Sequence, residues 1–282
     1  MDREVRHKVA DAFKLENISF DYEGIPAICS LSLQIAQGER VALLGPNGSG
    51  KSTLLRILDG LYFPTAGSVF FHESEINRET LNGEQFAFDF RRRVALVFQN
   101  PDVQLFNPSV FDEVAYGPLQ MQWTKEEVIR RVDETLAFMA LSHLRDRAPY
   151  RLSGGEKKRV ALASVLVLDP EVLLLDEPTV TLDPRSQSQV VDLIQQWKGS
   201  SKTVVTATHQ LEIVEDIADR VLVLEAGRII AAGTSAEILS NTELLLRANL
   251  AHAHRHSHNG KVHSHPHLHG HSHVHEGDED EN

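Results

Sequence analysis

The stretch Gly45-Pro46-Asn47-Gly48-Ser49-Gly50-Lys51-Ser52-Thr53 contains the eight-residue pattern G-x-x-x-x-G-K-[ST]. Glycines at these places let the backbone wrap closely, so that its N–H groups point at phosphate oxygens. A helix opening at the end of the loop adds the positive end of its dipole. Lys51 is then placed to reach the β- and γ-phosphates of a nucleotide, and the Ser52 hydroxyl to ligate Mg²⁺. The bland alternative is a glycine-rich turn with an incidental lysine. Context disfavours it, because an apolar run precedes the loop and helical spacing follows it.

Two further segments carry chemistry. Val172-Leu173-Leu174-Leu175-Asp176-Glu177 is an apolar run ending in two acids. It predicts a buried strand that holds Asp176 against the magnesium shell. Glu177, one residue on, is placed to act as general base on an attacking water or to orient it. In Leu152-Ser153-Gly154-Gly155-Glu156-Lys157-Lys158-Arg159, Ser153 reads as a helix N-cap, and the two glycines expose backbone N–H groups at the helix opening. This is a second anion site in the same chain. Two half-sites per chain predict two copies facing head to tail. Each nucleotide is then held by the phosphate loop of one copy and this helix start of the other, giving two sites per dimer.

The elements that must position these residues are legible in the periodicity. Leu31, Leu33 and Ile35 alternate with Ser32 and Gln34, the period of a half-buried strand. Val41-Ala42-Leu43-Leu44 is a continuous apolar run feeding the glycine loop, as a buried parallel strand would. Leu54, Leu55, Ile57 and Leu58 then recur at helical spacing. Thr124 with Glu127 reads as a capping box, followed by Val128, Ile129, Val132, Leu136 and Met139 at helical spacing. Residues 110–167 are therefore expected to be mostly helical. Strands return at 172–175, 203–207 and 221–224. Asp183-Pro184 reads as a helix start, and Glu225-Ala226-Gly227 as a hairpin turn. Alternating strands and helices imply an α/β domain with a largely parallel sheet.

Composition narrows the function classes. The net charge is -12 with scattered acids, which argues against a broad basic face for nucleic acid. The single cysteine, Cys29, fits a reducing compartment and reads as a small strand residue. The charged N-terminal residues do not resemble a secretory signal. Apolar runs are a few residues long, whereas a spanning helix needs roughly 20. The expectation is a soluble chain whose membrane role, if any, is borrowed from partners.

The segment around Ser153 resembles the signature of ABC-type ATPases, and the likeness extends in order and spacing over roughly residues 12–245. The resemblance implies the P-loop ABC ATPase fold: a mainly parallel core, an antiparallel β subdomain and an inserted helical subdomain at about 110–167. It implies ATP and Mg²⁺ as ligands, with Ser153, Gly154, Gly155 and Glu156 contacting nucleotide. Tyr22 matches the aromatic that stacks on adenine, the plainer alternative being a strand tyrosine that only packs. Gln99 matches the glutamine that senses Mg²⁺ and the γ-phosphate and begins the segment touching the membrane subunit. His209 matches the histidine that contacts the γ-phosphate, and Asp183 the acid that links the two sites across the dimer. Two positions depart from the pattern. Thr181 stands where a small alanine or glycine is usual, and Gln210 where aspartate is common. They put the cross-dimer coupling geometry in question.

The stretch Gln99-Asn100-Pro101-Asp102-Val103-Gln104-Leu105-Phe106 looks like that of energy-coupling-factor importer ATPases, particularly the cobalt and nickel branch. Such motors act as homo- or heterodimers under an integral coupling subunit and a substrate-binding membrane subunit, at the cytoplasmic face of the membrane. The run Arg91-Arg92-Arg93 reads as a solvated face rather than a partner contact.

Residues 1–11 form an N-terminal extension, and residues 246–282 a histidine-rich tail expected to be disordered. His252, His254, His256, His258, His263, His265, His267, His269, His271, His273 and His275 mostly occupy alternate positions. Imidazole suits nickel, cobalt, copper and zinc, so the tail reads as a labile transition-metal trap for Ni²⁺, Co²⁺ or Zn²⁺. A purification tag would be an unbroken run, whereas this tract is interleaved with other residues and closes in acids. The leading expectation is an importer motor for nickel or cobalt. The alternatives are a soluble ABC-type ATPase acting on nucleic acid or ribosomes, a motor for another cargo such as a vitamin, or a metal-storage protein.

Overall fold

Two sheets make up the packed domain because two kinds of strand are present there. The structure, a computed structural model, describes residues 10–180, 182–258 and 261–267, the last stretch and 252–258 by backbone alone. Strands β1 (Asp11–Tyr22) and β2 (Ile25–Ala36) pair antiparallel; β2 alternates buried and exposed residues from Leu31 to Ile35, while bulges interrupt the pattern in β1. Strand β3 (Arg40–Leu44) is buried on both faces and enters the phosphate loop, after which α1 spans Lys51–Leu58. Strands β4 (Ala66–Phe71) and β5 (Ser74–Glu75) complete a four-stranded antiparallel sheet in the order β2-β1-β4-β5. Helices α2 (Arg78–Asn82) and α3 (Glu84–Arg93) then lead into β6 (Val94–Val97).

The expected helical stretch is α4 (Val110–Gln120), α5 (Lys125–Phe138) and α6 (Gly154–Leu166). After it the chain alternates as β7 (Val172–Asp176), α7 (Pro184–Gln196), β8 (Thr203–Thr208), α8 (Val214–Ile217) and β9 (Arg220–Glu225). Strand β10 (Arg228–Thr234) returns antiparallel, through a turn in which Ala226 and Gly227 both have positive φ. Helices α9 (Ser235–Ser240) and α10 (Thr242–Arg247) follow. The second sheet runs β10-β9-β3-β8-β7-β6 and is parallel apart from β10.

This sheet separates two apolar cores. In β3, Val41 and Leu43 point into a core shared with α1 and the antiparallel sheet, while Ala42 and Leu44 point into one shared with α4–α6 and α7. The period-2 alternation of a strand makes both faces apolar, and each face needs its own cover. The phosphate loop and the acidic strand end thus emerge from the most buried part of the molecule.

One expectation is corrected here, and two features bear on the domain bounds. Thr124 caps α5 by accepting from the Glu127 N–H, but the reciprocal half of a capping box is not formed, and Glu127 instead faces Arg130 at 4.0 Å. Complete boxes stand at Asn77/Thr80, Ser153/Glu156 and Thr234/Glu237. The packed region also runs past residue 245, because Ala248 and Ala251 are buried in the core. Lastly, the tail backbone forms an antiparallel pair, β11 (His252–His258) with β12 (Lys261–His267), where composition predicts disorder. The histidine alternation there has the period of a strand. Thr181, residues 1–9, and His269, His271, His273 and His275 lie outside the described residues.

Candidate nucleotide site

The loop after β3 and the first turn of α1 form one wall of a cavity of about 490 Å³. Tyr22, residues 47–53, Gln99 and Glu177 all line it. Gly50, at φ 105, caps α1 without a side chain, so the N–H groups of the first turn stay free for an anion. A β-carbon on Gly50 would come within 2.6 Å of the Ala27 carbonyl oxygen, and one on Gly45 within 2.4 Å of that of Leu224. Both glycines are needed for this close wrap. Lys51 Nζ donates to the Gly45 and Pro46 carbonyl oxygens at 2.6 and 3.1 Å. It therefore lies along the inside of the loop. Burial holds its pKa below the usual lysine value, opposed by Glu177 and Asp176.

Ser52 donates to Asp176 Oδ1 at 2.9 Å, joining the start of α1 to the end of β7. Burial raises the Asp176 carboxyl, and the Ser52 hydrogen bond partly offsets this. A hydroxyl and a carboxylate converging beside the phosphate loop are hard oxygen donors, which fits a small divalent cation. Gln99 reaches the same cavity from the end of β6.

Glu177 is the most constrained residue here. It is 4% exposed and sits at φ 46, a left-handed conformation unusual for a side chain of its size. Its N–H is held by the Ala207 carbonyl at 2.9 Å. Oε1 is 2.8 Å from His209 Nδ1, while Oε2 is buried without a hydrogen-bond partner among the described residues. An orphaned carboxylate oxygen beside a phosphate cradle is what a general base awaiting a water looks like. His209 also lines an adjoining cavity with Pro46 and Asn47. Gln210 accepts from the Thr179 hydroxyl, so the residue that departs from the family pattern ties the loop after Glu177 to the strand end bearing His209.

Tyr22 is partly exposed, edge-on to the rings of Phe20 and Tyr62, with its hydroxyl 3.1 Å from Thr53 Oγ1. An open ring at the mouth of the cavity suits stacking on a base.

Ser153, Gly154, Gly155 and Glu156 do not reach this cavity in their own chain. Ser153 caps α6, and the Glu156 carboxylate accepts from the Ser153 N–H at 2.7 Å, which lowers the Glu156 pKa. Beside this helix start, Asp183 caps α7 by accepting from Arg185, Ser186 and the Ser186 hydroxyl. A β-carbon on Gly155 would lie 3.6 Å from Asp183 Oδ2. The fold therefore divides the sequence-predicted residues into two groups. One surrounds the phosphate loop, and the other is the α6 start with Asp183.

Sequence reasoning missed the polar struts between the groups. Glu113, buried on α4, accepts from the Phe106 and Asn107 N–H groups at 2.9 and 2.7 Å. Gln104 donates to the Ala161 carbonyl at 2.9 Å. Lys158, whose pKa burial pushes down to about 8, donates to the carbonyl oxygens of Phe98, Gln99 and Asp176. Arg93, read as part of a solvated face, instead grips Glu171 at 2.8 Å and lies over the Phe71 ring. Among the described residues no cluster of three or more His, Cys, Asp or Glu is arranged to hold a metal, and no helix is long and apolar enough to cross a membrane.

Comparison with known proteins agrees with this geometry. Residues 28–180 match the family model described as ABC transporter. The nickel import ATP-binding protein NikO of Rhodobacter capsulatus is 53% identical over 242 residues, covering 85% of this chain and 95% of that protein. The energy-coupling factor transporter ATP-binding protein EcfA of Methanothermobacter thermautotrophicus is 41% identical over 238 residues, covering 84% and 75%. Among solved structures, cbiO1 from Clostridium perfringens, part of the ABC transporter complex cbiONQ, superposes with a TM-score of 0.72 at 36% identity, covering 86% and 95%.

Proposed function

This chain belongs to the ABC transporter ATPases, and from that premise we propose that it powers uptake of nickel or cobalt ions as the motor of an energy-coupling-factor type importer. It is an ATP-hydrolysing subunit. The observation that carries hydrolysis is the buried Glu177, which lines the phosphate-loop cavity and whose Oε2 has no hydrogen-bond partner among the described residues. In this reading Lys51 and the loop N–H groups hold the β- and γ-phosphates. Glu177 takes the proton of the attacking water, and His209, bonded to Oε1, fixes the carboxylate and meets the γ-phosphate. Ser52, Asp176 and Gln99 would hold Mg²⁺, which when bound neutralises charge on the phosphate oxygens.

The separation of Ser153–Glu156 from the cavity supports a shared site. A second ATPase subunit supplies its α6 start to the nucleotide on the first, and ATP thereby favours the closed pair. Asp183 lies against Gly155, and in this reading it links the two sites. Val103, Phe106, Tyr116 and Leu119 are exposed apolar residues on the segment after Gln99 and on α4. They suit contact with an integral membrane coupling subunit, and in this reading the motor works at the cytoplasmic face of the membrane beside a substrate-binding membrane subunit.

For cargo, two features support a transition-metal ion. The NikO relative is named for nickel import. The tail carries eleven histidines between 252 and 275, which suit Ni²⁺, Co²⁺ or Zn²⁺ and would hold them near the importer. The test is nickel and cobalt accumulation in cells carrying the chain with its native membrane partners. Lys51→Ala should abolish ATP-dependent accumulation. Uptake of both ions that is indifferent to Lys51→Ala would remove the assignment.

A further inference from the structure

Helix α6 begins at the residues that serve the partner's nucleotide, yet one of its side chains runs in the opposite direction. Lys158 is 2% exposed, and its Nζ lies 2.8 Å from the Phe98 carbonyl oxygen, 3.1 Å from that of Gln99 and 3.4 Å from that of Asp176. An ammonium has three N–H donors, and here each has a backbone acceptor. These acceptors are not scattered. Phe98 and Gln99 leave the end of β6, and Asp176 ends β7, the neighbouring strand. They are the points at which the cation-sensing glutamine and the acids Asp176 and Glu177 emerge from the sheet.

A buried cation that finds only carbonyls is costly in desolvation, and a methionine would fill the same space without that cost. Its retention calls for a task that an apolar side chain cannot perform. Two neighbours act in the same sense from the rim. Lys157 Nζ contacts Asp102 Oδ1 at 2.7 Å, and the Gln104 amide donates to Ala161 and Ser164 of α6. Gln104 also accepts from the Phe98 N–H at 3.3 Å, but among the described residues Lys158 is the α6 side chain whose hydrogen bonds reach the ends of both β6 and β7. It lies five residues after Ser153, so about 7.5 Å of helix axis separates the contact point from the partner-facing cap. A shift of the β6 and β7 ends is therefore delivered to Ser153 through a short rigid rod.

We propose that Lys158 is a positioning residue that fixes helix α6 against the strand ends bearing Gln99 and Asp176, and thereby couples the two nucleotide sites of the dimer. This rests on the shared-site reading above. The nucleotide state sensed by Gln99 and Asp176 in one site sets the pose of the Ser153 cap that completes the other. Lys158 touches no nucleotide in this scheme.

The test uses the full chain and two variants. Lys158→Met keeps the stem and removes the donors, while Lys158→Gln keeps an uncharged donor. Thermal melting, equilibrium ATP binding to the monomeric chain, and the ATP dependence of turnover are measured for each. Wild type should show ATP-dependent dimerisation and a Hill coefficient between about 1.5 and 2, the ceiling being the number of sites. Both variants should bind ATP within about twofold of wild type. Lys158→Met should lose about 10- to 100-fold in kcat, as a misplacement of about 1 Å can cost, with a Hill coefficient near 1, and Lys158→Gln should lie between. Folded variants that keep the wild-type Hill coefficient overturn the proposal, whatever their kcat, and two variants that do not fold overturn it in favour of a scaffold role. If wild type itself neither dimerises with ATP nor shows cooperativity, the shared-site reading fails and takes this inference with it.

Discussion

Replacing Glu177 by glutamine changes almost nothing but basicity. The side chain keeps its length and its buried position, and an acceptor oxygen remains to face His209 Nδ1, now 2.8 Å from Oε1. What disappears is the unpartnered carboxylate oxygen Oε2, the atom assigned to take the proton from water. General-base catalysis contributes roughly 10²- to 10⁴-fold, about 2.7–5.5 kcal/mol of barrier. The neighbouring titratable groups already have partners, His209 Nδ1 at Glu177 Oε1 and Asp176 at Ser52. The Asp176 carboxyl also faces the proposed cation position. The loss should therefore fall in the upper half of that range. ATP affinity should be retained, because the phosphate loop and Lys51 are untouched. Phosphate release at saturating ATP gives kcat, and equilibrium binding gives affinity. A kcat within threefold of wild type, or a loss explained by weaker ATP binding, would refute the reasoning.

Other outcomes follow from the same geometry. Lys51→Ala removes a charge-assisted contact to phosphate, worth about 1.5–3 kcal/mol, so equilibrium titration should show ATP binding about 10- to 100-fold weaker; unchanged affinity would sink its assignment. Deleting residues 252–282 should abolish nickel binding measured by metal analysis while ATP turnover persists; loss of both would make the motor secondary to the tail. Burial pushes the Asp59 carboxyl up to about 8, with Arg91 opposing. Because this folded value lies above the unfolded one, the folded chain binds the extra proton between about pH 4 and 8, and stability falls as pH rises through that window. Asp59→Asn should flatten that decline, by on the order of a few kcal/mol or less between pH 5 and 8 given its part-exposed position, and parallel melting trends in the two proteins would contradict it.

The features legible in the sequence were those set by local spacing. The phosphate loop, the apolar runs at 41–44 and 172–175 and the Ser153 cap each encode their geometry within ten residues, so period and glycine placement suffice. The struts were not legible, because their partners are distant and their residue types common. Lys158 finds Phe98 sixty residues upstream, and Glu113 folds back on Phe106 and Asn107. A lysine in a polar helix start gives no hint that it is buried. Glu127 shows the opposite failure: the S/T-x-x-E pattern was present, but the carboxylate found Arg130 instead of its cap. At Ser153 the same pattern closed fully, and Glu156 was the unused signal. In the tail, composition argued for disorder, while the alternation that spaces the histidines also permits a strand ladder.

The account stands on one triphosphate being gripped by two chains. The most direct measurement is a structure of the Glu177→Gln protein with ATP and magnesium. The account predicts a pair of chains in which the Ser153 hydroxyl and the Gly154 and Gly155 amides of one lie within hydrogen-bond reach of the γ-phosphate on the other. A nucleotide bound at the phosphate loop of a chain whose nearest neighbour leaves those groups facing solvent would contradict it.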